Sequence, residues 1–188
     1  MELVWPAEQY LESYVAALTE GWSANTIRPE HAQEELVAIA DDAEAFLASK
    51  VDREGSGPPI TLSDGTTRPR LPGLNRWMWD GAFAGSINLR WQPGTAELPP
   101  HVLGHIGYSV VPWRWGRGYA TRALTLLLPD AVAAGLPYVE LTTETDNRAS
   151  QIVIERNGGY LVERFEIGAE HDGGEALRWR IDLSGVEP

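Results

Sequence analysis

Residues 115–120 read Trp-Gly-Arg-Gly-Tyr-Ala, two glycines bracketing an arginine just before a helical pattern. Glycine accepts φ > 0 and lets the backbone approach a ligand closely. Successive free N–H groups at a helix start form an anion nest, strengthened by the helix dipole. Arg117 sets a permanent positive charge beside them. The chemistry favoured by this arrangement is the cradling of a diphosphate. A P-loop would need Gly-Lys-Ser/Thr, which is absent, so NTP hydrolysis is not expected. A dinucleotide fingerprint needs Gly-x-Gly-x-x-Gly directly after its strand, whereas the third position is Thr121 and the strand stops near Val111-Pro112. On the turn alone, a glycine turn that binds nothing stays open.

Other chemistries are narrowed by composition. The chain has no cysteine, which excludes disulfides, thiolate metal sites and a cysteine nucleophile. No Gly-x-Ser-x-Gly elbow is present to activate a serine. His101 and His105 follow Pro99-Pro100 and lie off any helix with no third ligand, so no metal is expected. The formal net charge of -12 argues against nucleic acid and anionic membrane surfaces, and mildly favours a cationic acceptor. No apolar run approaches the roughly 20 residues that span a bilayer. Residues 1–8 lack the basic start and apolar stretch of a signal peptide, so the expected location is the cytoplasm.

The elements that must position the turn follow from periodicity. Leu11, Tyr14, Val15 and Leu18 have the spacing of an amphipathic helix, and Leu36, Ile39, Ala40, Ala43 and Leu47 predict a second one starting near Pro29. Residues 51–73 are rich in Gly, Pro, Ser, Thr and Asp and read as a long loop, with room for a short hairpin and a lid role. Residues 75–80 and 82–91 flank Asp80-Gly81 as a β-hairpin, in which Trp77 and Trp79 share a face as packing residues. A strand over 104–111 precedes the turn. Leu124, Leu127, Leu128 and Ala131 mark the helix behind it, stopped by Gly135 and Pro137. A strand over 138–143, a short helix over 147–157, and an antiparallel pair over 160–167 and 176–183 complete the chain. The order is β-α-α-β-β-β-α-β-α-β-β. This predicts one mixed α/β domain over 1–188.

The segments Gly-His-Ile-Gly-Tyr-Ser-Val-Val-Pro (104–112) and Trp-Gly-Arg-Gly-Tyr-Ala-Thr-Arg-Ala-Leu (115–124) resemble the central motif of the GNAT acyltransferase superfamily. Asp146-Asn147-Arg148-Ala149-Ser150, followed by Val153-Ile154-Glu155-Arg156-Asn157-Gly158-Gly159, is similar to that family's next motif. The likeness covers roughly 74–165 and is closest to the ribosomal-protein and small-molecule N-acetyltransferase branch. Trp115 departs from the Gln/Arg that usually opens the glycine pattern.

The resemblance implies that acetyl-CoA lies where strand 104–111 splays from strand 138–143. Gly116, Arg117, Gly118, Tyr119, Ala120 and Thr121 would hold the pyrophosphate. Backbone groups of Ser109, Val110 and Val111 would pair with the pantetheine arm like an added strand. An N–H near Val110 would polarise the thioester carbonyl, and Asn147 would bond the pantetheine or the cleft wall. With no cysteine for an acyl-enzyme, a primary amine (a small molecule or a protein N-terminus) would attack the thioester directly. Ser150 matches the serine used in the ribosomal-protein branch to protonate the thiolate, because the family's usual tyrosine position holds Ile154. His105, where the family often carries a glutamate, is the expected base, with His101, Glu97 or a water chain as rivals. Dimers are common in the superfamily, so a homodimer is allowed for. The competing reading is a CoA-binding regulatory or interaction module without catalysis.

Overall fold

The computed structural model describes residues 1–25, 28–61, 65–168 and 173–187. Strand β1 (Glu2–Val4) leads to helix α1 (Glu8–Thr19), followed by α2 (His31–Asp41) and α3 (Ala43–Ser49). The second expected helix is thus two. Asp42 leaves the helical region at φ -152 and its carboxylate accepts the Ala45 N–H at 2.9 Å, so an aspartate inside the apolar periodicity acts as an N-cap and starts a new helix.

Strands β2 (Val51–Asp52), β3 (Ile60–Thr61) and β4 (Thr67–Arg68) occupy the long loop, and β3 pairs with β4 as the short hairpin expected there. Then come β5 (Gly73–Trp79), β6 (Phe83–Arg90), β7 (Ile106–Val110), α4 (Tyr119–Ala133), β8 (Tyr138–Glu144), α5 (Arg148–Arg156), β9 (Tyr160–Glu166) and β10 (Glu175–Asp182). The strands form a five-stranded sheet ordered β1-β5-β6-β7, with β2 also on β5, and a three-stranded sheet ordered β8-β10-β9. All strand pairings among the described residues are antiparallel.

The two sheets meet at one point. The His105 N–H donates to the Glu140 carbonyl at 2.8 Å, and no ladder joins β7 to β8 beyond it. Gly104 makes this approach feasible, since a Cβ there would stand 3.0 Å from the Glu140 oxygen and 3.2 Å from the Leu141 Cα. The expected splayed pair is therefore a V closed at His105–Glu140 and open towards Val110.

Two clusters hold the sheet in place. On one face α1 and α3 bring Tyr14, Leu18 and Phe46 onto Trp77, Phe83 and Val111. Tyr14 stacks on Trp77 at 4.3 Å. On the other face the expected stripe of α4, Leu124, Leu127, Leu128 and Ala131, is buried against β5–β8 and β10. Each fully buried leucine there stabilises the fold by about 1.5–3 kcal/mol. Among the described residues no helix is long and apolar enough to cross a membrane.

Candidate active site

The glycine turn sits at the open mouth of the V. Gly116 and Gly118 have φ 72 and 77, the left-handed region, and a Cβ on either would meet nothing within 4 Å. Gly118 is the N-cap of α4 and offers no side-chain acceptor. The first helical bond runs from Arg122 N–H to the Gly118 carbonyl at 3.0 Å, so the amides of Tyr119, Ala120 and Thr121 have no intrahelical acceptor. Arg117 and Arg122 line a depression of about 250 Å³ beside Gly118 and Tyr119. The Tyr119 hydroxyl is turned aside to Asp80, leaving that residue's backbone for the turn. Positive side chains, free amides and open space over two left-handed glycines fit a diphosphate.

The edge of β7 that faces the cleft is selected by sheet alternation. Val111 N–H bonds the Ala84 carbonyl at 3.0 Å and the His105 carbonyl accepts from Arg90 N–H at 2.8 Å. Residues 107, 109 and 111 therefore direct their backbone groups to β6, and Ile106, Tyr108 and Val110 direct theirs to the cleft. This corrects the expected trio. Of the three, only Val110 directs its backbone groups to the cleft; Ser109 is paired with β6, and Val111 gives its N–H to the Ala84 carbonyl and its own carbonyl to the Arg114 N–H. The Ser109 hydroxyl is occupied too, accepting from Trp22 Nε1 at 3.0 Å and donating to the Ser23 carbonyl at 3.1 Å. The Val110 carbonyl takes the indole N–H of Trp115 at 2.8 Å, so the unusual tryptophan folds back over the cleft edge.

Across the V, Asn147 caps α5 by accepting the Ser150 N–H at 3.1 Å. Among the described residues its Nδ2 and the Ser150 hydroxyl have no protein partner. Tyr108 spans from β7 to the same turn, its hydroxyl 3.4 Å from the Ser150 carbonyl. Burial raises its pKa above the ordinary 10.0, keeping it protonated. Ile154, at the family's tyrosine position, is fully buried. Asn157 fastens the two motifs together, donating to the Thr121 carbonyl at 3.2 Å and accepting from Thr125 Oγ1 at 2.6 Å.

His105 is not placed as a base. It is 1% exposed; its Nδ1 accepts the Glu140 N–H at 2.9 Å and its Nε2 lies 3.2 Å from the Ala96 carbonyl. That pattern fixes a neutral ring with Nε2 as donor and leaves no lone pair for a substrate proton. The residue latches β7 and loop 91–103 to β8. Burial pushes its pKa below the ordinary 6.5, partly opposed by Glu140. The fold thus holds the neutral form, and the unfolded chain takes the proton first as pH falls. Stability from this group is complete above pH 6.5 and is lost as pH falls from there through the depressed folded value. The melting temperature is expected to drop between about pH 7 and 5. His105→Gln, which can keep a donor and an acceptor, should melt lower at pH 7 and show a shallower drop. Calorimetric melts across that window check this, and parallel slopes for both proteins would refute it.

A second cavity, of about 910 Å³, lies on the α1–α3 side of the five-stranded sheet, between α2, α3, the 56–60 and 70–71 segments, and the β5–β6 floor. His31, at the start of α2, lines it. Its Nδ1 is buried without a hydrogen bond, 3.9 Å from Glu35 Oε2. Glu35 is itself held by the Tyr14 hydroxyl at 2.5 Å and by Lys50. The i, i+4 spacing of His31 and Glu35 on one helix face was the signal available in sequence. None of Trp22, Trp91, Trp113 or Trp115 lines this cavity.

Residues 26–159 match the acetyltransferase (GNAT) domain model. The chain belongs to that family. As a GNAT member it is similar over nearly its whole length to three solved acetyltransferases. Ribosomal L7/L12 alpha-N-protein acetyltransferase RimL, in complex with coenzyme A, has TM-score 0.59, 13% identity, and coverage of 96% of this chain and 92% of that one. The microcin C7 self-immunity acetyltransferase MccE, in complex with acetyl-CoA and AMP, gives 0.58, 14%, 96% and 91%. A putative ribosomal-protein-serine acetyltransferase from Vibrio cholerae gives 0.57, 12%, 96% and 92%. At these identities the likeness is one of fold. An alpha-keto-acid decarboxylase of Mycobacterium leprae (strain TN) is 29% identical over an alignment of 174 positions, with coverage of 79% of this GNAT chain and 30% of that relative. The chain thus spans about a third of the length of this curated relative.

Proposed function

We propose that this chain is an N-acetyltransferase that moves an acetyl group from acetyl-CoA directly to a primary amine. The observation that carries the reading is the left-handed Gly116–Gly118 turn at the mouth of a cleft whose β7 edge pairs with no further strand among the described residues. The diphosphate lies on the amides of residues 119–121 with Arg117 beside it, and the pantetheine runs along the β7 edge past Val110 and Tyr108. Asn147 Nδ2 faces it from α5. An edge N–H of β7 receives the developing oxyanion. The amine nitrogen bonds the thioester carbon, the C–S bond breaks, and the electron pair leaves with the CoA sulfur.

Two protons must move. The thiolate takes one from Ser150, with the Tyr108 phenol next to it, and the serine regains it from the adduct nitrogen, which sheds its second proton as the amide forms. The ammonium gives one to a base, and His31 replaces His105 in that role because it lines the cavity on the acceptor side with Glu35 behind its ring. The 56–60 and 70–71 segments of the long loop wall the same cavity, which suits a lid.

The absence of cysteine makes the test clean, since released CoA is the only thiol in the assay. Amine-dependent thiol release is expected, and Ser150→Ala should lower kcat roughly ten- to hundredfold with little change in melting temperature. CoA-induced stabilisation with no turnover on any amine would favour a non-catalytic CoA-binding module.

A further inference from the structure

The cavity floor is polar and charged, whereas the same face of β5 further along carries Trp77 and Trp79. Asn75, Asn88 and Gly107 stand opposite one another across β5, β6 and β7, and Arg90 is opposite Gly73 in the next row. Arg90 is set into the cavity with one side-chain partner, Asn88 Oδ1 at 3.2 Å. Among the described residues no carboxylate reaches it. Burial alone shifts its pKa, downwards, with no acidic neighbour to oppose it.

The carboxylates that line the same cavity are already committed. Glu34 pairs with Arg28 at 2.7 Å, Glu35 with Lys50 and Tyr14, and Asp52 with the N–H groups of Ser56 and Gly57 at 2.9 Å. Among the described residues Arg90 is therefore the floor's cation without a carboxylate partner. A guanidinium drawn partly out of water without a counter-ion is costly, and its planar fork suits the two oxygens of an oxyanion.

Gly107 puts this charge next to the chemistry. A Cβ there would stand 3.5 Å from Arg90 Nη2, so the guanidinium lies against the β7 backbone, one residue from the cleft-facing Tyr108.

We propose that Arg90, oriented by Asn88, binds an oxyanion on the acceptor, so that the amine acetylated here carries a carboxylate or phosphate. With the amine at the β7 edge, strand geometry sets the two groups roughly 3–10 Å apart, one to three residues along the strand. The specificity is for a short anionic amine, in place of the cationic acceptor suggested by net charge. It rests on the acetyl-transfer reading above.

The test compares ω-amino carboxylates, aminoalkyl phosphates and n-alkylamines of matched length, following thiol release. The anionic series should exceed the alkylamines at least tenfold in kcat/KM, and its better member tells carboxylate from phosphate. Arg90→Gln should cut that selectivity ratio at least tenfold through KM, with Arg90→Lys in between. Melting in the presence of CoA supplies a readout free of turnover. ω-Amino carboxylates should raise the melting temperature of the wild type further than CoA alone does, and should not do so in Arg90→Gln. A wild type that uses neutral or cationic amines equally well overturns the proposal, as does an Arg90→Gln protein with undiminished selectivity. If no amine is turned over, acetyl transfer itself fails, and the anion site falls with it unless ω-amino carboxylates still give Arg90-dependent stabilisation.

Discussion

Gly118→Ala is expected to weaken CoA binding by about ten- to hundredfold while costing the fold only about 1–2 kcal/mol. Gly118 has φ +77, where an alanine pays the left-handed penalty, yet its Cβ would meet no protein atom within 4 Å. In a domain of this size that cost lowers the melting temperature by roughly 2–8 °C. The ligand feels more. The added methyl stands at the N-cap of α4, over the amides that receive the diphosphate, and disrupts charge-assisted hydrogen bonds worth about 1.5–3 kcal/mol each. Gly135→Ala is the matched control. Its φ is +83 and its Cβ would also meet nothing within 4 Å, but it lies past the far end of the same helix. The two variants should melt alike and differ in a calorimetric CoA titration. Equal CoA affinities in the two would show that the turn does not hold the diphosphate.

That turn was legible in sequence because its signals are local. Glycine spacing and the α4 stripe at 124, 127, 128 and 131 depend only on neighbours a turn away, and the Asp80-Gly81 hairpin likewise announces itself. Choosing the cleft-facing residues of β7 required something non-local. Which backbone groups look outwards is fixed by the register of β7 on β6, and a shift of one residue exchanges the whole set. Without that register the family resemblance points to Ser109 and Val111 as well as Val110. His105 looked like a base because a histidine before a strand carries no mark of its burial. Its partners come from Ala96 and from Glu140, 35 positions away. The acceptor cavity was the least legible part, assembled from α2, two stretches of the long loop and the β5–β6 floor. Asn75, Asn88 and Arg90 are ordinary polar positions in alternating strands until pairing places them side by side.

The base assignment gives the second large effect: His31→Asn should lower kcat/KM at pH 7 by about a hundredfold or more. A primary amine with a pKa near about 10 is almost wholly ammonium at pH 7 and cannot attack until it gives up a proton. His31 lines the cavity with its Nδ1 towards Glu35, and the role proposed for it requires its other nitrogen to meet the acceptor amine. Asparagine keeps a polar group there but cannot take the proton. The deficit should then shrink as pH rises, because more of the amine arrives already neutral, and the two pH profiles should converge near the amine's own pKa. That convergence separates proton transfer from packing, since a ring needed only for shape would leave the same deficit at every pH. Retained CoA-induced stabilisation in His31→Asn would show that the cofactor side of the cleft is intact. A deficit that stays constant from about pH 6 to 10 would move the base elsewhere, with a water chain and the residues of loop 91–103 as the remaining candidates.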